Sequence, residues 1–195
     1  MTNDCGTTRI AGCQFTLYPM TDNFVDIILS SLKEVDTSKV WKKTDDVSTC
    51  IRGKLVHVFD VAKAIFLHAA KTGEHVAMSG TFSIGCPGDS SGNAFLAETN
   101  VPINEPNSTK ISQQAGCIFA LYPLGRDDYM GLINEQIDLS KNRGVKVSAT
   151  HYATRLDGEL NDIFRTMHES FDAVQKVCSH VTMTFTISAN SPSNK

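Results

Sequence analysis

The residues that could do chemistry in this sequence are polar or aromatic side chains that occur twice inside apolar segments. Tyr18 and Tyr122 each stand directly before a proline, and Thr49 and Thr154 each lie within another apolar stretch. Phenol and hydroxyl groups donate and accept hydrogen bonds, and aromatic rings attract organic cations. The same residues also fit simple packing, since tyrosine packs with a bonded hydroxyl and threonine favours strands. These residue types therefore predict binding of a small polar ligand or ordinary packing, rather than covalent catalysis.

Signatures of catalysis and metal binding are missing from the sequence. The six histidines form no H-x-x-x-H or H-E-x-x-H spacing, and the six cysteines form no C-x-x-C pair. The segment GCPGDSSG lacks the lysine of a phosphate-binding loop, and no serine lies in a G-x-S-x-G elbow. We therefore expect no catalytic residue, no metal site and no bound cofactor. His151 is the one titratable residue that an enzymatic alternative could use.

A duplication organises the chain. The segments AGCQFTLYPM at 11–20 and AGCIFALYPL at 115–124 are identical at seven of ten positions, and further on matches such as Phe59 with Phe164 occur at an offset of 105. This period is too long for a solenoid, so each copy should be a domain-like unit. We predict a first repeat at 1–88, a linker at 89–113 and a second repeat at 114–195. Cys13 and Cys117 share one repeat position, which favours buried thiols over a disulfide.

Each repeat has the element order βαββαβ. Alternating apolar residues indicate strands, and apolar residues at helical spacing, such as Ile163, Phe164, Met167 and Phe171, indicate helices. Two helices on one face of a four-stranded antiparallel sheet form the ferredoxin-like arrangement. The predicted fold is therefore α+β, a tandem of two such units. The Gly-, Pro-, Ser- and Asn-rich linker is predicted to be a long surface connection.

The other face of each predicted sheet has no helices. In the last strand of each repeat that face is rich in hydroxyl groups, carried by Ser79, Thr81, Ser83, Thr182, Thr184, Thr186 and Ser188. A solvated strand face, an interface or a ligand wall would each explain them. A ligand on this open face would use Tyr18, Thr81 and Ser83. Because two open sheets leave broad surfaces to cover, we also expect the chain to self-associate.

The overall composition excludes several partners. The net charge of -3 gives no electrostatic reason to expect nucleic acid or an anionic membrane surface. The start MTNDCGTTRI lacks the features of a signal peptide, and no apolar run approaches the length that spans a bilayer. We therefore expect a cytoplasmic protein without membrane insertion.

Several separated blocks resemble one known family. The segments CGTTRIAGCQFTLYPMTD, TSKVWKKTDDVSTCIRG, HVFDVAKAIFLHAA with GTFSIGCPGD, FALYPLGRDDYMGLI with HYATRLDGE, and SANSP occur in this order. Together they closely resemble the YkoF family of thiamin- and hydroxymethylpyrimidine-binding proteins. The resemblance covers the chain except the connection around 93–114.

The resemblance implies a cytosolic dimer that binds thiamin as a ligand, one site per repeat, and is linked to uptake of a thiamin precursor. By matching strands it places the sites near Leu17, Tyr18, Ser48 and Thr49 in the first repeat, and near Leu121, Tyr122, Ala153 and Thr154 in the second. If Phe15 faces the helices, then Leu17 and Thr49 share its side, whereas Tyr18 and Ser48 do not.

The two copies differ at one turn. Asp45 and Asp46 of the first repeat correspond to Thr150 and His151 of the second. A cation held near this turn would meet carboxylates in the first repeat alone, so we predict unequal affinities with the first site stronger. Without catalysis, the protein would act as a carrier, buffer or sensor. The alternatives are an enzyme acting on a thiamin precursor and a ligand-free regulatory or interaction module.

Overall fold

The computed structural model describes residues 9–86 and 92–194. Each repeat contributes four strands and two long helices, and the connection between the repeats adds one short helix. The strands are β1 (Ala11–Pro19), β2 (Val40–Thr44), β3 (Thr49–Gly53), β4 (Val76–Ile84), β5 (Gln114–Leu124), β6 (Lys146–Thr150), β7 (Ala153–Glu159) and β8 (His180–Ala189). The helices are α1 (Phe24–Glu34), α2 (Leu55–Ala70), α3 (Glu105–Ser108), α4 (Tyr129–Ser140) and α5 (Leu160–Gln175).

The strands of both repeats form one antiparallel sheet with the order β2-β3-β1-β4-β8-β5-β7-β6. This confirms the predicted α+β fold of two ferredoxin-like units. The sequence did not predict how the units join: each presents its fourth strand as an edge, and these two edges pair along their length from Val76↔Ala189 to Ile84↔Val181. Main-chain hydrogen bonds therefore connect the repeats directly.

The β4–β8 seam has a local two-fold symmetry. At the centre of the seam Gly80 pairs with Phe185. These two residues occupy the same position in the two repeats, 105 residues apart. On the open face hydroxyl groups bond across the seam, with 2.9 Å between Ser79 Oγ and Thr186 Oγ1. Part of the hydroxyl-rich surface predicted from the sequence thus consists of cross-strand pairs that hold the two repeats together.

The core lies between the sheet and the four long helices. Phe59 of α2 stacks on Phe82 with ring centroids 3.9 Å apart, and Phe82 stacks on Phe185 across the seam at 5.0 Å. Cys13 and Cys117 are buried free thiols on this side of the sheet, as predicted, and burial raises the pKa of both. The aromatic packing therefore continues from one repeat into the other.

The connection between the repeats packs closely against α2. Asn104 is buried, and its side chain donates to Asp60 Oδ2 over 2.9 Å, while the ring Nε2 of His57 lies 2.8 Å from the backbone oxygen of Thr99. The prediction of a surface connection thus misses specific tertiary contacts in this segment. The predicted repeat boundary at 88–89, Cys5 and most of GCPGDSSG lie outside the described residues.

Candidate ligand-binding site

The first repeat contains a pocket of about 360 Å³ between α1 and the sheet. Its floor is formed by the end of β1, its side by the turn between β2 and β3, and its roof by the apolar face of α1. The lining residues are Phe15, Thr16, Leu17, Tyr18, Pro19, Phe24, Ile28, Leu32, Thr44, Asp45, Asp46, Val47, Ser48, Thr49 and Ile65.

The second repeat contains the equivalent pocket, which is larger at about 630 Å³. It lies between α4, the end of β5 and the turn between β6 and β7. The lining residues are Phe119, Ala120, Leu121, Tyr122, Pro123, Leu124, Gly125, Arg126, Tyr129, Met130, Ile133, Asn134, Gln136, Ile137, Tyr152, Ala153 and Thr154. The repeat has therefore built one kind of pocket twice.

Eight of the ten residues predicted as ligand contacts line these two pockets. Leu17, Tyr18, Ser48 and Thr49 belong to the first, and Leu121, Tyr122, Ala153 and Thr154 belong to the second. Thr81 and Ser83 line neither of them. Both lie on the open face of β4, where Ser83 Oγ is 3.4 Å from Thr182 Oγ1. Thr81 and Ser83 thus belong to a surface separate from the pockets, whereas Tyr18, the third residue of the open-face prediction, lines the first pocket.

Side-chain directions follow the strand alternation. Thr49 is buried on the helix side, in line with Phe15, with which it is paired in register. Ser48 is turned the other way, since its Oγ accepts a hydrogen bond of 2.9 Å from Nε2 of Gln14. The hydroxyl of Ser48 is therefore already engaged by a neighbouring strand.

Gln136 is the most unusual polar residue at either pocket. It is 3% exposed and lines the second pocket from α4, and its Oε1 has no hydrogen-bond partner among the described residues. Its counterpart in the first repeat is Ser31, whose Oγ donates to the backbone oxygen of Ile27 at 2.7 Å. A buried amide oxygen without a partner is costly, so the second pocket presents an acceptor that a donor on a ligand would satisfy.

The two threonines also differ in their bonding. Thr49 Oγ1 lies 3.0 Å from Thr44 Oγ1, its partner in register on β2. In the second repeat Thr154 is paired with Ala149, which has no hydroxyl. The hydroxyl of Thr154 therefore lacks the hydrogen bond that Thr49 makes. Together with Gln136, it is a second polar group in the lining of the larger pocket.

Acidic charge near the pockets is concentrated at the β2–β3 turn, whereas the second pocket is lined by the basic Arg126. Asp45 Oδ1 accepts from the backbone N–H groups of Val47 and Ser48, and these bonds hold the pKa of Asp45 below its usual range. Asp45 thus caps the turn, whereas Asp46 is exposed at the pocket wall. In the second repeat Tyr152 lines the pocket with 99% of its surface exposed and a φ of 67°. An aromatic ring thus stands where the first pocket has acidic groups nearby.

The sequence reasoning missed the contribution of the helices. Phe24 and Ile28 of α1 and Tyr129 and Ile133 of α4 cover the pockets at equivalent positions. Gln136 was missed as well. The signal that could have found it is a polar residue in the buried stripe of the helix in both copies, serine in one and glutamine in the other.

The family follows from comparison with known proteins. The model of the YKOF-related family matches residues 10–89 and 114–194, which are the two repeats. The chain belongs to this family. It is 51% identical over 195 residues, covering 100% of this chain and 98% of the relative, to a Bacillus subtilis (strain 168) protein named "Putative HMP/thiamine-binding protein YkoF".

Solved structures resemble this YkoF-family chain over about one repeat. A DUF77 domain from Bacillus cereus is 22% identical, with a TM-score of 0.36, and covers 39% of this chain and 75% of that chain. A Thermotoga maritima protein described as a "putative thiamine biosynthesis/salvage protein" is 16% identical, with a TM-score of 0.35, and covers 38% of this chain and 81% of that chain. At these scores the likeness carries no argument about function.

The described residues lack two other kinds of feature. Within residues 9–86 and 92–194, no three His, Cys, Asp or Glu side chains come together in a way that could hold a metal ion. In the same part of the chain, no helix has the length and apolar character needed to cross a membrane.

Proposed function

We propose that the chain binds thiamin or its hydroxymethylpyrimidine precursor, one molecule in each of the two equivalent pockets, without catalysing a reaction. The observation that carries the proposal is the unpartnered Oε1 of Gln136 at the wall of a pocket that the repeat has built twice. The aminopyrimidine ring of these compounds has an amino group that donates hydrogen bonds, and Oε1 is an acceptor. The name of the Bacillus subtilis relative supports the same ligand class.

The lining of the second pocket suits an apolar ring with a polar edge. Leu121 and Ile133 offer apolar contacts from the strand and the helix, while Gln136 and Thr154 offer polar groups. Ligand pockets with apolar walls and a few placed polar groups are typical of small-molecule sites. The thiazolium cation of thiamin would then lie beside Tyr129, a half-exposed lining residue that supplies an aromatic face.

Binding without turnover is supported by the kinds of residue at the pockets. No histidine or cysteine lines either of the two pockets described above. His151, the candidate for the enzymatic alternative, lies exposed in the β6–β7 turn and is not among the residues that line the second pocket. Histidine and cysteine, which are common as base and nucleophile in covalent catalysis, are therefore missing from both pocket linings.

Filling each pocket in turn tests the proposal. Ile28 and Ile133 occupy equivalent positions in the two pocket roofs, so Ile28→Trp and Ile133→Trp should each fill one pocket. Calorimetric titration with thiamin and with hydroxymethylpyrimidine should give two sites in the unaltered protein, one in each variant and none in the double variant. Leu29→Trp is the matched control, because Leu29 is exposed on α1 and is not in the pocket lining.

Two results would overturn the proposal. Retention of both sites in the double variant would place the ligand elsewhere, with the open face of β4 as the next candidate. Chromatography after a long incubation would detect any conversion of either compound, and such conversion would show that the protein is an enzyme.

We also propose that two copies pair through the open face of the sheet. This face carries Ile118, which is 41% exposed, together with the exposed side chains of Tyr18, Tyr122 and Leu124, which also border the two pockets. Apolar groups on a face without helices gain from being covered. Light scattering should give twice the chain mass of 21.3 kDa. A mass equal to one chain at micromolar concentration would contradict the pairing.

The cellular role that fits these properties is salvage of thiamin or its precursor in the cytoplasm, alongside a precursor transporter. A deletion strain should then grow more slowly than its parent on limiting hydroxymethylpyrimidine and normally on excess thiamin. Equal growth of both strains on the limiting precursor would count against this role.

A further inference from the structure

A third cavity, of about 700 Å³, lies where the two repeats meet on the helix side of the sheet. Helices α2 and α5, which are equivalent in the two repeats, form its walls together with residues around α3. The lining residues used below are Phe59, Asp60, Lys63, Glu105, Glu159, Asn161, Asp162, Phe164, Arg165 and His168. None of these residues lines either of the pockets assigned above to the aminopyrimidine ligand.

The cavity carries more negative than positive charge. Lys63 pairs with Glu105, and Arg165 pairs with Asp162, so these four charges balance. Asp60 and Glu159 have no basic side chain paired with them among the described residues. Burial lowers the pKa of His168, so its ring is neutral near pH 7 and supplies no compensating charge. Two carboxylates therefore remain unbalanced at the junction.

Of these two carboxylates, Asp60 has the less favourable surroundings. It is 4% exposed, and its Oδ2 accepts from the backbone and side-chain nitrogens of Asn104 at 3.0 and 2.9 Å. Its Oδ1 has no hydrogen-bond partner among the described residues. A buried carboxylate without a partner for one oxygen is strongly unfavourable unless a donor or a cation joins it.

Asn161 shows the same deficit on the facing helix. Its Nδ2 donates to the backbone oxygens of Ser108 and Ile111, both at 3.3 Å, while its Oδ1 is buried without a partner. Both unpartnered groups at this cavity are acceptors. A molecule bound here would therefore need to be a hydrogen-bond donor.

The remaining walls favour an organic cation over a metal ion. Phe59 and Phe164 line the cavity, and their largely buried rings offer apolar contact to the carbon chain of a bound molecule. Among the described residues, no group of His, Cys, Asp or Glu side chains could hold a metal ion, here or elsewhere. An amine or guanidinium group combines positive charge with several N–H donors, and its carbon chain suits the aromatic walls.

We propose that this junction cavity binds a small organic cation with at least two N–H donors, of the alkyl diamine or guanidinium class, with Asp60 as its anionic anchor. The cation would contact both repeats, since α2 belongs to one and α5 to the other. The site is separate from the aminopyrimidine pockets, and it does not depend on the function proposed for them.

The test is calorimetric titration of thiamin-saturated protein with putrescine and with agmatine. We expect one site per chain for at least one of the two amines. The Asp60→Asn variant keeps the size of the side chain but removes the charge, and it should bind that amine at least tenfold more weakly. Glu135→Gln removes the same charge from the exposed surface of α4 and should leave amine binding unchanged.

A second comparison uses the unaltered protein and so does not depend on how a variant folds. The bis-quaternary analogue of putrescine keeps both charges but has no N–H donor, and it should bind at least tenfold more weakly than putrescine. Thiamin affinity should be the same within twofold in Asp60→Asn and in the unaltered protein, which separates this site from the pockets. No saturable binding of either amine at 10 mM, or equal binding of putrescine and its quaternary analogue, would overturn the proposal.

Discussion

Replacing Gln136 by methionine should move stability and ligand affinity in opposite directions. Gln136 is 3% exposed, and its Oε1 has no partner among the described residues, so the ligand-free fold carries an unsatisfied acceptor. An unsatisfied buried polar group costs about 1–3 kcal/mol, whereas an apolar side chain of similar length avoids this penalty. We expect Gln136→Met to raise the free energy of unfolding by about 1 kcal/mol, which corresponds to roughly 2–4 °C in Tm for a chain of this size.

The same change should weaken binding in the second pocket. If the amino group of the pyrimidine donates to Oε1, its loss removes one hydrogen bond and leaves the donor of the ligand without an acceptor. That penalty of about 1–3 kcal/mol corresponds to a roughly 5- to 150-fold weaker affinity. The assay is calorimetry in the Ile28→Trp background, where the first pocket is filled, together with urea unfolding of the single variant.

The control for this experiment is Ser31→Ala at the equivalent position of the first repeat. Ser31 Oγ is already bonded to the backbone oxygen of Ile27, so its removal should leave second-pocket affinity unchanged. Second-pocket affinity of Gln136→Met within twofold of its background would show that Oε1 does not receive the ligand. A fall in the free energy of unfolding would show that the amide supports the fold, and either result refutes the reasoning.

Three further predictions follow from other parts of the structure. Asp46→Asn should weaken thiamin binding at the first pocket a few-fold and leave neutral hydroxymethylpyrimidine unaffected, because Asp46 is an exposed carboxylate at that pocket; calorimetry in the Ile133→Trp background measures both, and equal losses would argue against a charge effect. Gly80→Ala should lower the free energy of unfolding by about 1–3 kcal/mol, because its Cβ would lie 2.8 Å from Gln14 O; Gly125→Ala has a positive φ but no atom within 4 Å, so a larger loss there in urea unfolding would contradict this packing argument. Burial lowers the pKa of His168 from 6.5, so the free energy of unfolding should fall as the pH drops below about 6.5 and through the folded-state pKa; His168→Gln should flatten this slope, and an unchanged profile in pH-dependent unfolding would show that another group causes it.

The elements of each repeat could be predicted from the sequence because they depend on local patterns. The alternation around Phe15 and the spacing of apolar residues along Leu160–Gln175 are enough to identify a strand and a helix. The duplication then supplied a second, independent copy of each pattern. Most predicted site residues line the two pockets for the same reason, since the strand ends before Pro19 and Pro123 take the same place in each repeat.

The remaining features depend on tertiary contacts that no local pattern encodes. Pairing of β4 with β8 requires the edge strands of the two repeats to meet. The alternation of apolar and polar residues along each strand is the same whether the two sheets are separate or joined, so it does not predict this pairing. The connection was predicted as a surface loop from its composition, but Asn104 bonds Asp60, which is 44 residues away in the chain. In the sequence, Gln136 is simply one polar residue on an amphipathic helix, and its importance is evident only from the pocket beside it.

The pairing of Gly80 with Phe185 at the centre of the seam makes it difficult for either half to exist as a separate protein that pairs with its own copy. A free half that paired with an identical copy of itself would place the same residue on both sides of the axis. Phenylalanine at position 80 would collide with its neighbours, since even a Cβ there lies 2.9 Å from Phe185 Cε1. Glycine on both sides would leave empty the space that the Phe185 ring fills beside Phe82 and Phe164. Covalent fusion permits two unlike residues on the axis, and each half is thereby packed to fit the other half rather than a copy of itself.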